Sequence, residues 1–227
     1  MLPMATSGLT HRSVSLAGPA GNLEGLFWDA PAGAGAPRLA AVVCHPHPNF
    51  GGTMHNKVVY QAAKTLNRAG LPVLRFNFRG VGLSEGAHDG GRGERRDVRA
   101  ALDFLAARFP GAALMAAGFS FGAWVGLRAG CEDTRVALLA GLGMPVGSVD
   151  VSYLSACAKP KLLVSGDHDQ YAPKKKLEAM VAGLPARAKK NTELILIPGV
   201  DHFFTGHLEE LDRVLSDWLA ARLAELI

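Results

Sequence analysis

Ala113-Leu114-Met115-Ala116-Ala117-Gly118 is a short apolar run that leads into Phe119-Ser120-Phe121-Gly122. The run predicts a strand buried on both faces of a sheet, and the residues beyond Gly122 predict a helix to about Gly130. A strand that turns sharply into a helix crowds the backbone around the residue at the turn. Only minimal side chains at the flanking positions avoid collision, and here those positions are Gly118 and Gly122. Ser120 would be held in a strained conformation, its hydroxyl at the carboxyl edge of the sheet above a helix N-terminus. In a chain with 27 glycines the Gly-x-Ser-x-Gly pattern alone is a weak signal. The strand–turn–helix setting gives it weight.

The same alternation extends outward on both sides. Upstream, Ser13–Ala17 and Leu23–Trp28 predict a strand pair around a turn, followed by a Pro/Gly/Ala loop over Ala30–Arg38. Leu39–Cys44 and Leu71–Phe78 predict strands and Asn56–Ala69 a helix ended by Gly70, before a glycine-rich loop over Arg79–Gly93. Glu94–Arg108 predicts a helix with Val98, Ala101, Leu102 and Leu105 on one face. Downstream, Val136–Leu142, Lys161–Val164 and Glu193–Ile197 predict strands, and Lys174–Gly183 and His207–Leu226 predict helices. Strands alternating with helices imply a mostly parallel twisted sheet with helices on both faces and an antiparallel N-terminal edge. No linker splits the pattern, so residues 1–227 read as one α/β domain with an ordered core from about 13 to 225.

A serine hydroxyl at neutral pH needs a base within hydrogen-bond reach. His202, directly after Glu193–Ile197, is the candidate, and it needs a carboxylate to fix its tautomer. Asp169 lies just past Lys161–Val164, with Asp167 as a competitor. Ser120, Asp169 and His202 each follow a different parallel strand, so all three emerge at one sheet edge and can converge.

These features resemble the α/β-hydrolase superfamily over roughly residues 13–225, with the order Ser, Asp, His in the chain. The runs His45-Pro46-His47-Pro48-Asn49-Phe50-Gly51-Gly52 and Phe76-Asn77-Phe78-Arg79-Gly80-Val81-Gly82 resemble a group of small, lidless bacterial hydrolases within it. That group is similar to dienelactone hydrolases but has a serine nucleophile. The resemblance implies an α/β-hydrolase fold and a catalytic triad of Ser120, Asp169 and His202. It selects Asp169, three residues after Gly166 and four before Pro173, and leaves Asp167 to organise the loop. It also makes the loop after Cys44 the oxyanion loop. Phe121 would give one backbone N–H; Pro46 and Pro48 have none, which points to His47 for the second, with Asn49 or Phe50 as fallbacks.

Only Gly143–Pro160 separates two consecutive strands where many such enzymes insert a lid, and these 18 residues leave no room for a sizeable cap. An open, shallow pocket bordered by Phe50, Phe121, Met144 and Phe203 is expected. The expected chemistry is a serine carboxylesterase acting on short-chain esters, with thioesters, amides or acyl–amino-acid bonds as alternative substrates of the same triad. A non-catalytic binding module is the alternative outside enzymes. The reaction calls for no cofactor and no metal.

The remaining readings are plainer. His45, His47 and His55 have no adjacent Asp or Glu to complete a metal site, so loop-bracing hydrogen bonds are expected of them. Asp201 reads as a turn residue, and Arg79, Glu94 and Asp97 as an ion-paired brace. The net charge of +4 is too small to mark a nucleic-acid binder. Lys174–Lys176 read as a solvated helix start and Lys189–Lys190 as a loop before a strand. Partners reduce to a small-molecule ester, with no nucleic acid and no membrane, and a homodimer stays open. Cys44, Cys131 and Cys157 show no Cys-x-x-Cys spacing and read as free thiols. With no export leader visible at the N-terminus, they point to the cytoplasm.

Overall fold

The computed structural model describes residues 11–225. The reading of the N-terminus as leaderless falls largely on residues 1–10, outside the described residues, as do the last two residues. Eight strands form one sheet in the order β1-β2-β4-β3-β5-β6-β7-β8. β1 (His11–Gly18) and β2 (Gly21–Trp28) make an antiparallel hairpin, and β2 lies antiparallel to β4 (Val73–Phe76). From β4 onward, β3 (Leu39–Cys44), β5 (Ala113–Phe119), β6 (Val136–Leu142), β7 (Lys161–Gly166) and β8 (Thr192–Ile197) run parallel.

The helices α1 (Lys57–Arg68), α2 (Arg92–Arg108), α3 (Phe121–Glu132), α4 (Lys174–Ala182), α5 (Ala186–Lys190) and α6 (Leu208–Glu225) cover both faces. Every residue of β3 is buried, because alternate side chains enter two separate cores. Ala40, Val42 and Cys44 face Leu102 and Leu105 of α2 and Val125 of α3; Leu39, Ala41 and Val43 face Val59 and Leu66 of α1 and Leu215 of α6. This is the α/β-hydrolase fold with an antiparallel edge, and the connection from β6 to β7 carries only a 3-10 turn (Ser152–Ser155) and no lid.

The chain leaves β3 for β4 on one side, then crosses back to β5 on the other. Loops after β3 and β5 therefore diverge at the carboxyl edge and open a crevice there, as in other open α/β sheets.

Three expectations need correction. Lys189–Lys190 close the short helix α5 instead of lying in a loop. Pro185 fixes the backbone at its start, and one and a half turns are too short for hydrophobic periodicity to show. Leu71–Phe78 contracts to Val73–Phe76: the Asn77 amide still reaches Glu24 O of β2, but the next amide, that of Phe78, turns to the His45 side chain at Nε2. Cys131 and Cys157 are disulfide-bonded, with Cα atoms 5.5 Å apart and a sequence separation of 26. Their pairing depends on the end of α3 meeting the loop after β6, which spacing cannot reveal. Cys44 is the free cysteine, and burial holds its thiol far up and unionised. The thiol argument for a cytoplasmic location therefore falls away. Among the described residues no helix is long and apolar enough to cross a membrane.

Candidate active site

Ser120 sits between the last residue of β5 and the first of α3 with φ 54° and ψ −119°, a left-handed backbone that a side chain rarely adopts. The two glycines make the turn possible. A Cβ on Gly118 would fall 2.3 Å from the Gly122 carbonyl oxygen, and one on Gly122 would fall 2.4 Å from the carbonyl oxygens of both Cys44 and His45. No side chain fits at either place, so β5, α3 and the end of β3 come together only around glycine.

The structure brings Ser120, His202 and Asp169 into one hydrogen-bonded chain. Ser120 Oγ lies 2.9 Å from His202 Nε2, and His202 Nδ1 lies 2.8 Å from Asp169 Oδ2. The Asp169 side chain is fully buried and receives the amides of Tyr171 and Ala172 at 2.8 and 2.9 Å and the Ser165 hydroxyl at 3.0 Å. Burial pushes this carboxyl up, but the His202 contact and the two amides outweigh it and hold the group below the usual carboxylate range. An ionised Asp169 keeps the proton of His202 on Nδ1 and leaves Nε2 free to accept from Ser120, the geometry of a general base facing a nucleophile. Asp167 does not join this chain: its Oδ1 accepts the Gly199 amide at 2.7 Å and ties the loop after β7 to the loop after β8. Asp201 accepts the amides of Phe203 and Thr205 and shapes the turn that presents His202.

The loop after β3 faces the serine. His45 is buried; its Nδ1 lies 2.6 Å from the Pro46 oxygen, and its Nε2 accepts the Phe78 amide at 3.0 Å. Both contacts are met only by the neutral ring with its proton on Nδ1, and burial lowers the pKa of His45 to about 4. This bond pins the carbonyl of the Pro46–His47 peptide and so fixes the plane of the His47 N–H. The fallback amides are engaged within the 3-10 turn Pro48–Phe50: Asn49 N–H donates to His47 Nδ1 at 3.2 Å and Phe50 N–H to His47 O at 3.1 Å. Among the described residues no protein acceptor takes the N–H of His47 or of Phe121. Phe121 opens α3, where the helix N-terminus favours developing negative charge.

A cleft of about 310 Å³ lies over Ser120, lined on one side by His47, Phe50 and Asn56 and on the other by Pro145, Ser148, Val149 and Tyr171. Phe50, Phe121 and Phe203 line it, and Met144 does not. Met144 is buried, turned under α3 against Leu127 and Leu163, and its neighbour Pro145 takes the place expected of it. Sequence reasoning missed the far wall. The clue available for Tyr171 was its position two residues after Asp169, and its ring packs 4.7 Å from that of His202. Arg79 and Asp97 form the expected brace, while Glu94 takes a different part, accepting the amides of Asp89 and Gly91.

The family described as serine aminopeptidase, S33, matches residues 35–144, a span that holds Ser120 but ends before Asp169 and His202. An uncharacterised protein of Rickettsia prowazekii is 37% identical over 208 residues, covering 89% of this chain and 86% of its own. A crystal structure from Xanthomonas campestris, described as an α/β serine hydrolase without lid, is 34% identical with a TM-score of 0.85 and covers 97% of both chains. The chain belongs to the α/β-hydrolase superfamily. This α/β hydrolase is similar as well to a putative α/β hydrolase from Agrobacterium tumefaciens, 35% identical at a TM-score of 0.85 and covering 94% of this chain and 97% of that one.

Proposed function

We propose that this α/β hydrolase is a serine carboxylesterase that cleaves short-chain carboxylic esters through an acyl-enzyme. The observation that carries the reading is the Ser120–His202–Asp169 chain beneath an open, aromatic-lined cleft. His202 takes the proton from Ser120 as Oγ attacks the ester carbonyl. The carbonyl oxygen, now negative, lies toward the N–H groups of His47 and Phe121. His202 then gives its proton to the departing alcohol, and a water activated by the same ring releases the acid. Asp169 stays ionised and holds the imidazolium. A shallow cleft without a lid encloses little of the substrate, which suits a small acyl group and varied alcohols.

One observation favours a second reading. The serine aminopeptidase description raises the amide alternative. An aminopeptidase must seat a free α-ammonium, for which a carboxylate in the cleft is the usual partner, and among the described residues no Asp or Glu lines this one. That absence favours neutral esters over peptide N-termini. A Pyrococcus furiosus protein named an esterase shares the fold at 19% identity.

The test is a panel of nitrophenyl acyl esters, acyl thioesters and aminoacyl anilides given to the purified protein. Turnover highest for acetyl to butyryl esters supports the proposal. Turnover confined to anilides or thioesters replaces it with the corresponding alternative, and no turnover by a well-folded protein favours a binding module.

A further inference from the structure

The loop after β4 carries His88 to the back of the oxyanion loop, a position that no sequence motif signals. Its ring lies 4.8 Å from the His47 ring and 5.6 Å from the Phe121 ring, and those two rings are 4.9 Å from each other. The three form a closed triangle. Two of its corners are the residues whose amides are assigned to the oxyanion, and these come from separate loops, one after β3 and one after β5. Phe78 packs edge-on against Phe121 at 5.8 Å and closes the cluster from below.

The third corner is anchored. His88 Nδ1 stands 2.7 Å from Oε1 of Glu94, a close contact without the alignment of a hydrogen bond. The Glu94 side chain is fully buried at the start of α2, and its two oxygens accept the Asp89 amide at 2.9 Å and the Gly91 amide at 2.8 Å. A buried carboxylate is costly unless every lone pair finds a partner. Glu94 uses its partners to fold the segment 88–91 against the helix and so to fix where His88 stands. The side chain of His88 is one-fifth exposed and does not line the cleft, so it has no place for contact with substrate.

We propose that His88, seated on buried Glu94, is a positioning residue that sets the separation of the two oxyanion donors, His47 and Phe121. This rests on the serine-esterase reading above. Donor geometry matters most when the carbonyl oxygen carries charge. Loosening the triangle therefore weakens transition-state binding more than ground-state binding, and misplacement on the scale of 1 Å costs about a hundredfold.

The test compares wild type with His88→Ala, His88→Phe and Glu94→Gln on a nitrophenyl acetate substrate. His88→Ala should lower kcat about ten- to a hundredfold with KM changed less than about twofold. His88→Phe, which restores a ring of similar size, should recover most of that loss. The affinity for a boronic acid that mimics the tetrahedral intermediate should fall in parallel with kcat, while affinity for the product acid stays level. Thermal midpoints and Ser120 labelling by a fluorophosphonate are read on every variant. Unchanged kcat in folded His88→Ala, or equal losses of boronate and product binding, would overturn the proposal. If wild type is labelled and active, that outcome leaves the esterase reading intact. If wild type is neither labelled nor active, both fail.

Discussion

Ser120 pays for its position with a left-handed backbone, a conformation costing on the order of 1–3 kcal/mol. Such strain is kept where it aims a side chain, and here it aims Oγ at His202. Replacing Ser120 with Ala should lower ester turnover by several orders of magnitude and leave the thermal midpoint nearly unchanged, since only a hydroxyl at the floor of an open cleft is lost. Initial rates and calorimetry on the same preparation check this. The two aspartates after β7 give a sharper comparison. Asp169→Asn removes the acceptor that holds the Nδ1 proton of His202 and should lower kcat roughly a thousandfold or more. Asp167→Asn keeps an oxygen for the Gly199 amide and lies outside the Ser120–His202–Asp169 chain, so it should cost less than about tenfold. Comparable losses for the two would mean that the loop, and not the carboxylate beside His202, governs activity. At this scale the three side chains that meet in one hydrogen-bonded chain, Ser120, His202 and Asp169, were legible in the sequence, but Met144 was misplaced. Its neighbour Gly143 takes φ 53° on leaving β6, which turns the Met144 side chain into the core.

Among the elements, those with a long repeating pattern were legible in the sequence: β3, β5 and β6 as continuous apolar runs, α1 and α2 by the spacing of their buried faces. Elements of a single turn were not, because α5 and the 3-10 turns at Pro48–Phe50 and Ser152–Ser155 are too short to carry a period. The far wall of the cleft stayed hidden for a related reason. Pro145, Ser148 and Val149 belong to a loop tied by the Gly147 amide to the Tyr171 oxygen, a long-range contact that no local pattern reveals. The Cys131–Cys157 bond joins positions 26 apart in sequence and should contribute about 3 kcal/mol through the unfolded chain. Urea denaturation with and without reductant, or of Cys157→Ser, measures it; coincident curves would show that the bond adds nothing. Gly122→Ala addresses the junction of β3, β5 and α3. With two carbonyl oxygens 2.4 Å from the new Cβ, the variant should lose several kcal/mol of stability or fail to accumulate as folded protein.

Across the whole molecule, one mostly parallel sheet with a crossover point gathers side chains from residues 45 to 202 at a single edge, and it is this topology that makes so dispersed a site readable. The same edge sets a pH dependence of stability. His45 titrates at about 4 in the fold against 6.5 for an ordinary imidazole, so between those values the unfolded chain binds the extra proton. Stability should therefore fall as pH drops from about 6.5 to 4, by up to about 3 kcal/mol, with His47 shifted in the same direction by burial. Asp169, held below the usual carboxylate range, adds its loss only at lower pH. Denaturation midpoints at pH 7 and pH 4.5 should differ clearly in wild type and less in His45→Asn, which keeps a donor toward the Pro46 oxygen but no titrating ring. The central claim, that Ser120 is an activated nucleophile, is tested most directly by intact-protein mass spectrometry after exposure to a fluorophosphonate, with the site found by peptide mapping. The account predicts one adduct per chain, on Ser120, and none in His202→Ala over the same interval. An unmodified wild-type chain, or an adduct on any other residue, would contradict it.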